Sequence, residues 1–433
     1  MDIIEKIGDT ITEKGKVAAD KAKELAAIAN LKSQISTCEE VMKKNYLEIG
    51  KIYFEQYSDM PEPPFEKQCE AIKNSQRAIA DLQEPILKVG SEPKTYSLYI
   101  GIPFCPSRCS YCSFVSCNLD RDRKLVQPYV DCLCREVEAI RDEADKAGLT
   151  LCSIYIGGGT PTSVNAQQLR QLMGTMAEQF DLPALEEFTV EAGRPDCTDE
   201  EKLRIIKEYG ATRISINPQT FSDEVLRNIG RRHTAQDILD CYRTARRVGH
   251  DNINMDLIAG LPGDTVEGFR HSLQTAIDLD PENITVHTLT LKRASNLVVE
   301  HRAADYADVA AMVESCELLE KAGYRPYYLY RQKGTLQNLE NVGWCKPGYE
   351  CLYNIYIMEE VHTILSAGAG GSTKLVAPGA RHGKIERIFN YKYPTEYIDR
   401  FDTILARKEG VKQFYDQYPS CGESARPQAH GGV

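Results

Sequence analysis

An α/β fold, a partial (β/α)6 TIM-like barrel with an N-terminal helical hairpin and a C-terminal α+β lobe, is what this 433-residue sequence predicts. Three observations lead there. Short β-rich runs recur at 96–102, 153–156, 188–191, 213–216, 252–257 and 283–288. Helix-period patterns at 126–147, 166–179, 235–248 and 266–279 lie between them, and the rhythm stops past Tyr324. Strands alternating with helices build βα units around a parallel sheet. Six such strands make an incomplete barrel, and barrels of this kind place their chemistry at the C-terminal strand ends.

Residues 1–90 read as a helical hairpin or coiled coil. Leu25, Ile28, Leu31, Ile35, Met42, Tyr46, Ile49 and Ile52 form one broad apolar face, and the proline-rich stretch 60–64 ends that helix. Phe65, Cys69, Ile72, Ile79, Leu82 and Ile86 form a second stripe. Such helices offer a surface for self-association. The barrel is expected over 91–300, the lobe over 301–410 and a disordered tail over 411–433.

Composition narrows the class. Apolar residues make up 42% of the chain, enough for a sizeable core, and the net charge of −11 disfavours a nucleic acid partner. The first sixteen residues scatter charge and contain no secretory apolar run. No apolar stretch of about 18 residues predicts a membrane span, so the expectation is a cytoplasmic protein. Fifteen cysteines, an odd number, belong to a reducing compartment, where a tight cysteine group binds metal rather than forming disulfides. Cys38, Cys69, Cys132, Cys134, Cys152, Cys197, Cys241, Cys316 and Cys421 read as small hydrophobes in or near the core.

Cys105, Cys109 and Cys112 form such a group, spaced C-x3-C-x2-C directly after the first strand. Three thiolates at this pitch suit three corners of a [4Fe–4S] cubane and leave the fourth iron open as a Lewis acid. A zinc site wants four ligands, commonly as two cysteine pairs, and no second pair follows at close range, although Cys117 is a further thiol five residues on. After the second strand comes Gly157-Gly158-Gly159-Thr160-Pro161-Thr162, whose backbone can approach a ligand and offer peptide donors to a carboxylate. Glu191, Gln219, Arg231 and Asp256 lie in or beyond the next strands. A carboxylate there can take an ammonium or ribose hydroxyl, and an arginine can bind a carboxylate bidentately. Singly, each is more often a solvated or capping group. Their recurrence at successive strands is the signal.

The run Gly101-Ile102-Pro103-Phe104 leading into the three cysteines, with Tyr99 two residues ahead, resembles the radical S-adenosylmethionine superfamily. Within it the chain is similar to the oxygen-independent coproporphyrinogen III dehydrogenase family, especially its Firmicutes branch, from about Tyr96 to Glu409. The resemblance implies reductive cleavage of S-adenosylmethionine to a 5′-deoxyadenosyl radical. It also implies two S-adenosylmethionine molecules held by Tyr99, Tyr111, Gly158, Gly159, Thr160, Glu191, Gln219, Arg231, Asp256 and Thr290, with Tyr99 and Arg231 catalytic. The implied reaction is oxidative decarboxylation of two propionates of coproporphyrinogen III to give protoporphyrinogen IX in haem biosynthesis. The implied partners are a tetrapyrrole substrate and reduced flavodoxin or ferredoxin. Phe114 stands where characterised enzymes carry a further cysteine, and Gly101 where many relatives have histidine. Residues 1–90 resemble instead the helical part of a small bacterial zinc-ribbon protein, without the ribbon.

Residues 327–333 mix tyrosines with Arg331 and Lys333, which suits a flat macrocycle bearing carboxylates, and an ordinary strand equally well. Arg231, Arg232, Lys292 and Arg293 are further candidates for propionate pairing. Haem chaperones of the same fold carry His-Asn-x-x-Tyr-Trp, where this chain has Tyr353-Asn354-Ile355-Tyr356-Ile357-Met358 and lacks the histidine and tryptophan. Methyl transfer in anaerobic haem degradation is a third reading. A tRNA-modifying role fits the acidic charge worst.

Overall fold

Strands with both faces buried organise the molecule. The computed structural model describes residues 50–51, 53–55, 95–114, 117–291, 295, 309–330, 335–336, 339–360, 362–377 and 384–418. The chain divides into two compact units, Met1–Gln83 and Glu84–Val433. Of the first, residues 50–51 and 53–55 are helical and carry an exposed Lys51–Glu55 ion pair. The rest of the expected hairpin lies outside the described residues.

In the second unit β1 (Thr95–Ile102), β4 (Thr150–Gly158), β5 (Glu187–Glu191), β6 (Arg213–Ser215), β7 (Ile253–Ala259) and β8 (Asn283–Thr288) pair in parallel and in sequence order. Two short strands, β2 (Phe104–Cys105) and β3 (Cys117–Asn118), pair beside the end of β1. Leu98, Ile100, Ile154, Ile156, Val190, Ile214 and Leu257 are fully buried, as parallel strands covered by helices require. Asn165, Asp199, Ser222, Thr234 and Thr265 each accept a hydrogen bond from the first turn of the helix that follows, so polar caps start the returning helices. This is the predicted partial barrel.

Past Tyr324 comes the expected α+β part of the chain, and its strands join the barrel sheet. β9 (Arg325–Tyr330) and β10 (Asn341–Cys345) extend the sheet antiparallel beyond β8. β11 (Thr363–Ala367) adds in parallel to β1, followed by β12 (Ser372–Val376) and β13 (Ile385–Phe389). An open barrel leaves two edges of unpaired backbone groups, and these strands satisfy both, giving one eleven-stranded sheet.

The expected tail is also corrected. Gly410–Tyr415 is helical with Val411 and Phe414 buried, while residues 419–433 lie outside the described residues. A buried ion pair fastens this end: Lys408 Nζ lies 2.7 Å from Glu136 Oε1 on the helix Val126–Lys146. Tyr397, Asn390 and the Gly368 amide also donate to Glu136. Among the described residues no helix is long and apolar enough to cross a membrane.

Candidate active site

The cysteine loop is seated by backbone contacts. Gly159 N–H donates to Ile102 O at 2.8 Å and Thr160 N–H to Phe104 O at 2.9 Å. The amides of Gly159 and Thr160 therefore hold the loop and are not free for a ligand carboxylate, contrary to the expectation from the glycine run. A side chain on Gly159 would bring its Cβ to 2.8 Å from Phe104 O and 3.0 Å from Cys105 Sγ. Gly158 adopts φ +112° against the Ile102 backbone. The glycines are there to let the loop and the end of β4 meet. From the other side Ser110 N–H donates to Ile229 O, and Ser107 Oγ–H to Gly230 O.

Above the strand ends lies a cavity of about 400 Å³. Its wall brings together Cys105, Cys109, Cys112, Tyr99, Tyr111, Gly158, Gly159, Thr160, Glu191, Gln219, Arg231, Asp256 and Thr290, which is every cluster and cofactor residue named from the sequence. Cys117 is not part of that wall; it pairs in β3 with Phe104. Burial pushes the Cys112 thiol up to about 11, with Cys109 and Cys105 adding to the shift. Among the described residues no three ligating side chains converge on one ion position.

Gln219 takes φ 68°, a left-handed conformation unusual for glutamine, fixed by Gln219 N–H to Asp256 O at 2.8 Å and Ile258 N–H to Gln219 O at 3.0 Å. Arg231 is buried; its Nη1 donates to Asn217 O at 2.6 Å and its Nη2 to Tyr111 Oη at 3.4 Å. Thr290 Oγ1 is 3.3 Å from Thr335 Oγ1.

Two carboxyl groups in the wall are driven in opposite directions. Burial lifts Glu191 to about 7 despite a 2.7 Å hydrogen bond from Tyr155 Oη–H, and nearby Asp256 adds to the rise. Asp256 is also opposed by burial, yet His287 and Asn254 hold it below the usual carboxylate range. Asn254 Nδ2 donates to it at 2.7 Å, and His287 Nε2 lies 3.7 Å away. Tyr330 Oη is 3.2 Å from His287 Nδ1, and Tyr328 stacks on Tyr330, so β9 supplies one side of the cavity. Residues 331–333, Lys292 and Arg293 lie outside the described residues. Arg232 faces solvent, paired with Asp120 at 2.6 Å, and is not part of the cavity wall as propionate pairing would need.

Tyr353 is buried in a stack with Tyr155, centroids 4.4 Å apart, and Tyr99, 6.0 Å apart. Its neighbours Asn354 and Met358 reach the cavity wall.

The sequence reading missed Arg194, Arg213, Asn217, Asn254 and His287 in this wall. A usable signal existed for Asn254, which precedes Asp256 by two residues on one strand and therefore shares its face. Arg194 and Asn217 fall two or three residues past the ends of β5 and β6, where barrels keep functional groups.

The profile of the Radical SAM superfamily matches residues 99–276. The chain is 44% identical over 317 residues to the oxygen-independent coproporphyrinogen-III oxidase-like protein HemZ of Bacillus subtilis, a match covering 72% of this chain but only 63% of that protein. It is 41% identical over 339 residues to the heme chaperone HemW of B. subtilis, covering 76% of this chain and 85% of that one. The fold is like that of coproporphyrinogen III oxidase (HemN) from Escherichia coli, with a TM-score of 0.56 at 21% identity over 75% of this chain and 73% of that chain. The C-x3-C-x2-C loop, the strand-end cavity and these likenesses agree: the chain belongs to the radical SAM superfamily, in the group that includes the coproporphyrinogen-III oxidase-like proteins and the heme chaperones.

Proposed function

We propose that this chain carries a [4Fe–4S] cluster on Cys105, Cys109 and Cys112 and performs anaerobic oxidative decarboxylation of coproporphyrinogen III to protoporphyrinogen IX. The observation that carries the reading is the composition of one cavity. Three thiols form one side, and Glu191 at the end of β5, Gln219 and Arg231 in the segment after β6, and Asp256 within β7 line the same cavity. Three cysteines on one loop, spaced C-x3-C-x2-C with no second cysteine pair at close range, suit a cubane better than a four-ligand zinc site. When bound, the cluster supplies the electron that cleaves S-adenosylmethionine and so provides a hydrogen-abstracting radical.

The chain's own residues bind, orient and exclude water. Tyr99, Tyr111, Gly158, Gly159, Thr160, Gln219 and Thr290 would shape room for one S-adenosylmethionine, or for two. Asp256, held ionised, suits an ammonium group or ribose hydroxyls. Glu191 can present either a proton or a lone pair near neutrality. Arg231 keeps a fixed cation beside the cysteine loop, which suits a cofactor carboxylate or a propionate. Tyr328 and Tyr330 offer ring faces to a flat macrocycle.

A second reading, haem chaperone, is favoured by the relatives of that name. Against it stands Tyr353, which fills the place of the chaperone's histidine and is locked in a tyrosine stack. Mass spectrometry of anaerobic reactions with coproporphyrinogen III and S-adenosylmethionine decides. Loss of two carboxyl groups per macrocycle with 5′-deoxyadenosine supports the enzyme. Stoichiometric haem binding with no such product supports the chaperone.

A further inference from the structure

Arg213 opens β6 with its side chain in the barrel interior, where it forms part of the cavity wall. It pairs in register with Thr189, one strand repeat deeper than Glu191, which pairs with Ser215. The residue is 1% exposed, and among the described residues none of Nε, Nη1 and Nη2 has a hydrogen-bond partner. A buried guanidinium left uncompensated is among the most costly features a fold can carry.

Glu187 lies near enough to favour the cation electrostatically, yet no side chain among the described residues hydrogen-bonds it. Glu187, two residues before Thr189 on β5, gives its oxygens to the Leu352 and Tyr353 amides and the Cys351 thiol, at 2.8, 3.3 and 3.3 Å. Glu191 is engaged by Tyr155, and Asp256 by Asn254. The other two buried arginines of the wall, Arg194 and Arg231, both have partners. Arg213 alone of the three presents an unanswered planar fork, the geometry that takes a carboxylate through two parallel hydrogen bonds.

We propose that Arg213 receives a carboxylate of the ligand that fills the barrel, either a propionate of the tetrapyrrole or the methionyl carboxylate of S-adenosylmethionine. This rests on the reading of the cavity given above.

The test uses cluster-loaded protein and equilibrium dialysis with two pairs of probes. The first pair is S-adenosylmethionine and its decarboxylated form; the second is coproporphyrin III and its tetramethyl ester. Arg213→Met should weaken one carboxylate-bearing probe by about tenfold or more and spare the matching carboxylate-free probe. Loss on S-adenosylmethionine assigns the cofactor carboxylate, and loss on coproporphyrin assigns a propionate. Equal affinity of Arg213→Met and wild type for both carboxylate probes, at wild-type iron content, overturns the proposal. Equal weakening of carboxylate-bearing and carboxylate-free probes overturns it too, because that marks a structural role. Should Arg213→Met not fold, a crystal structure of the wild-type complex with both ligands decides. A carboxylate within hydrogen-bond distance of the guanidinium supports the assignment, and none there ends it. Wild-type protein that binds S-adenosylmethionine but not coproporphyrin defeats the tetrapyrrole reading, while the first probe pair still judges Arg213.

Discussion

Arg194 holds one guanidinium nitrogen 3.8 Å from the Sγ of Cys109, while Asp196 grips the other two at 2.9 and 2.6 Å. The same guanidinium donates to the Ser107 carbonyl and hydroxyl, each at 2.9 Å, so it is fixed against the cysteine loop. A buried cation beside a cluster thiolate favours the more negative, reduced state. Arg194→Gln should therefore keep its iron but shift the cluster midpoint potential to a lower value, with Arg194→Lys in between. A redox titration followed by electron paramagnetic resonance checks this. An unmoved potential would leave Arg194 as a loop anchor only.

Gly159→Ala should fold yet fail to assemble the cluster. The added Cβ meets Phe104 O at 2.8 Å, Cys105 Sγ at 3.0 Å and Phe104 N at 3.1 Å, and the two Phe104 atoms are backbone that cannot swing aside. Iron content after anaerobic reconstitution is the readout, with the thermal melt of the apoprotein as control. A full iron complement would mean the loop can move away from β4 at little cost.

Burial sets a pH dependence at Glu191. Unfolded, the carboxyl loses its proton near 4.5; folded, it keeps it to about 7 among Tyr155, Asp256, Arg213 and His287. Between those values the native chain binds a proton the unfolded chain has lost, so the contribution to stability is greatest below about 4.5 and declines until about 7. At 1.36 kcal/mol per pH unit the decline is on the order of 3 kcal/mol. Glu191→Gln has no proton to lose, so its melting temperature relative to wild type should rise from acid to neutral pH and then level off. A difference that stays flat, or falls, across that window would show that the carboxyl is solvated.

Lys408→Met should destabilise the second unit by about 3–5 kcal/mol, because it strands Glu136, which is fully buried. Lys408→Met with Glu136→Leu should recover part of the loss. Denaturant melts of the four proteins close the cycle. If Lys408→Met is neutral, the C-terminal helices are a detachable appendage after all.

Local signals determined much of this protein. The strand rhythm alternating with helical stripes located the six parallel strands, because each element buries its own face with a period that the residues repeat. The cysteine spacing and the positions of Glu191, Gln219, Arg231 and Asp256 in or beyond successive strands pointed to residues of the cavity wall for a related reason: in a barrel, nearness to one strand's end implies nearness to the others. What tertiary structure alone decided is where long-range pairing competes. Nothing near residue 363 announces that Thr363–Ala367 will lie beside Tyr96, some 270 residues away, and that pairing extends the sheet past its first strand. The amides of Gly159 and Thr160 were taken by Ile102 and Phe104, partners visible only once the loop has folded back. Arg213 reads in sequence as an ordinary charged residue in a short strand. Its isolation depends on Glu187 having been claimed by the helix that follows Cys351, and a chain shows such a prior claim only after every donor and acceptor around it has been placed.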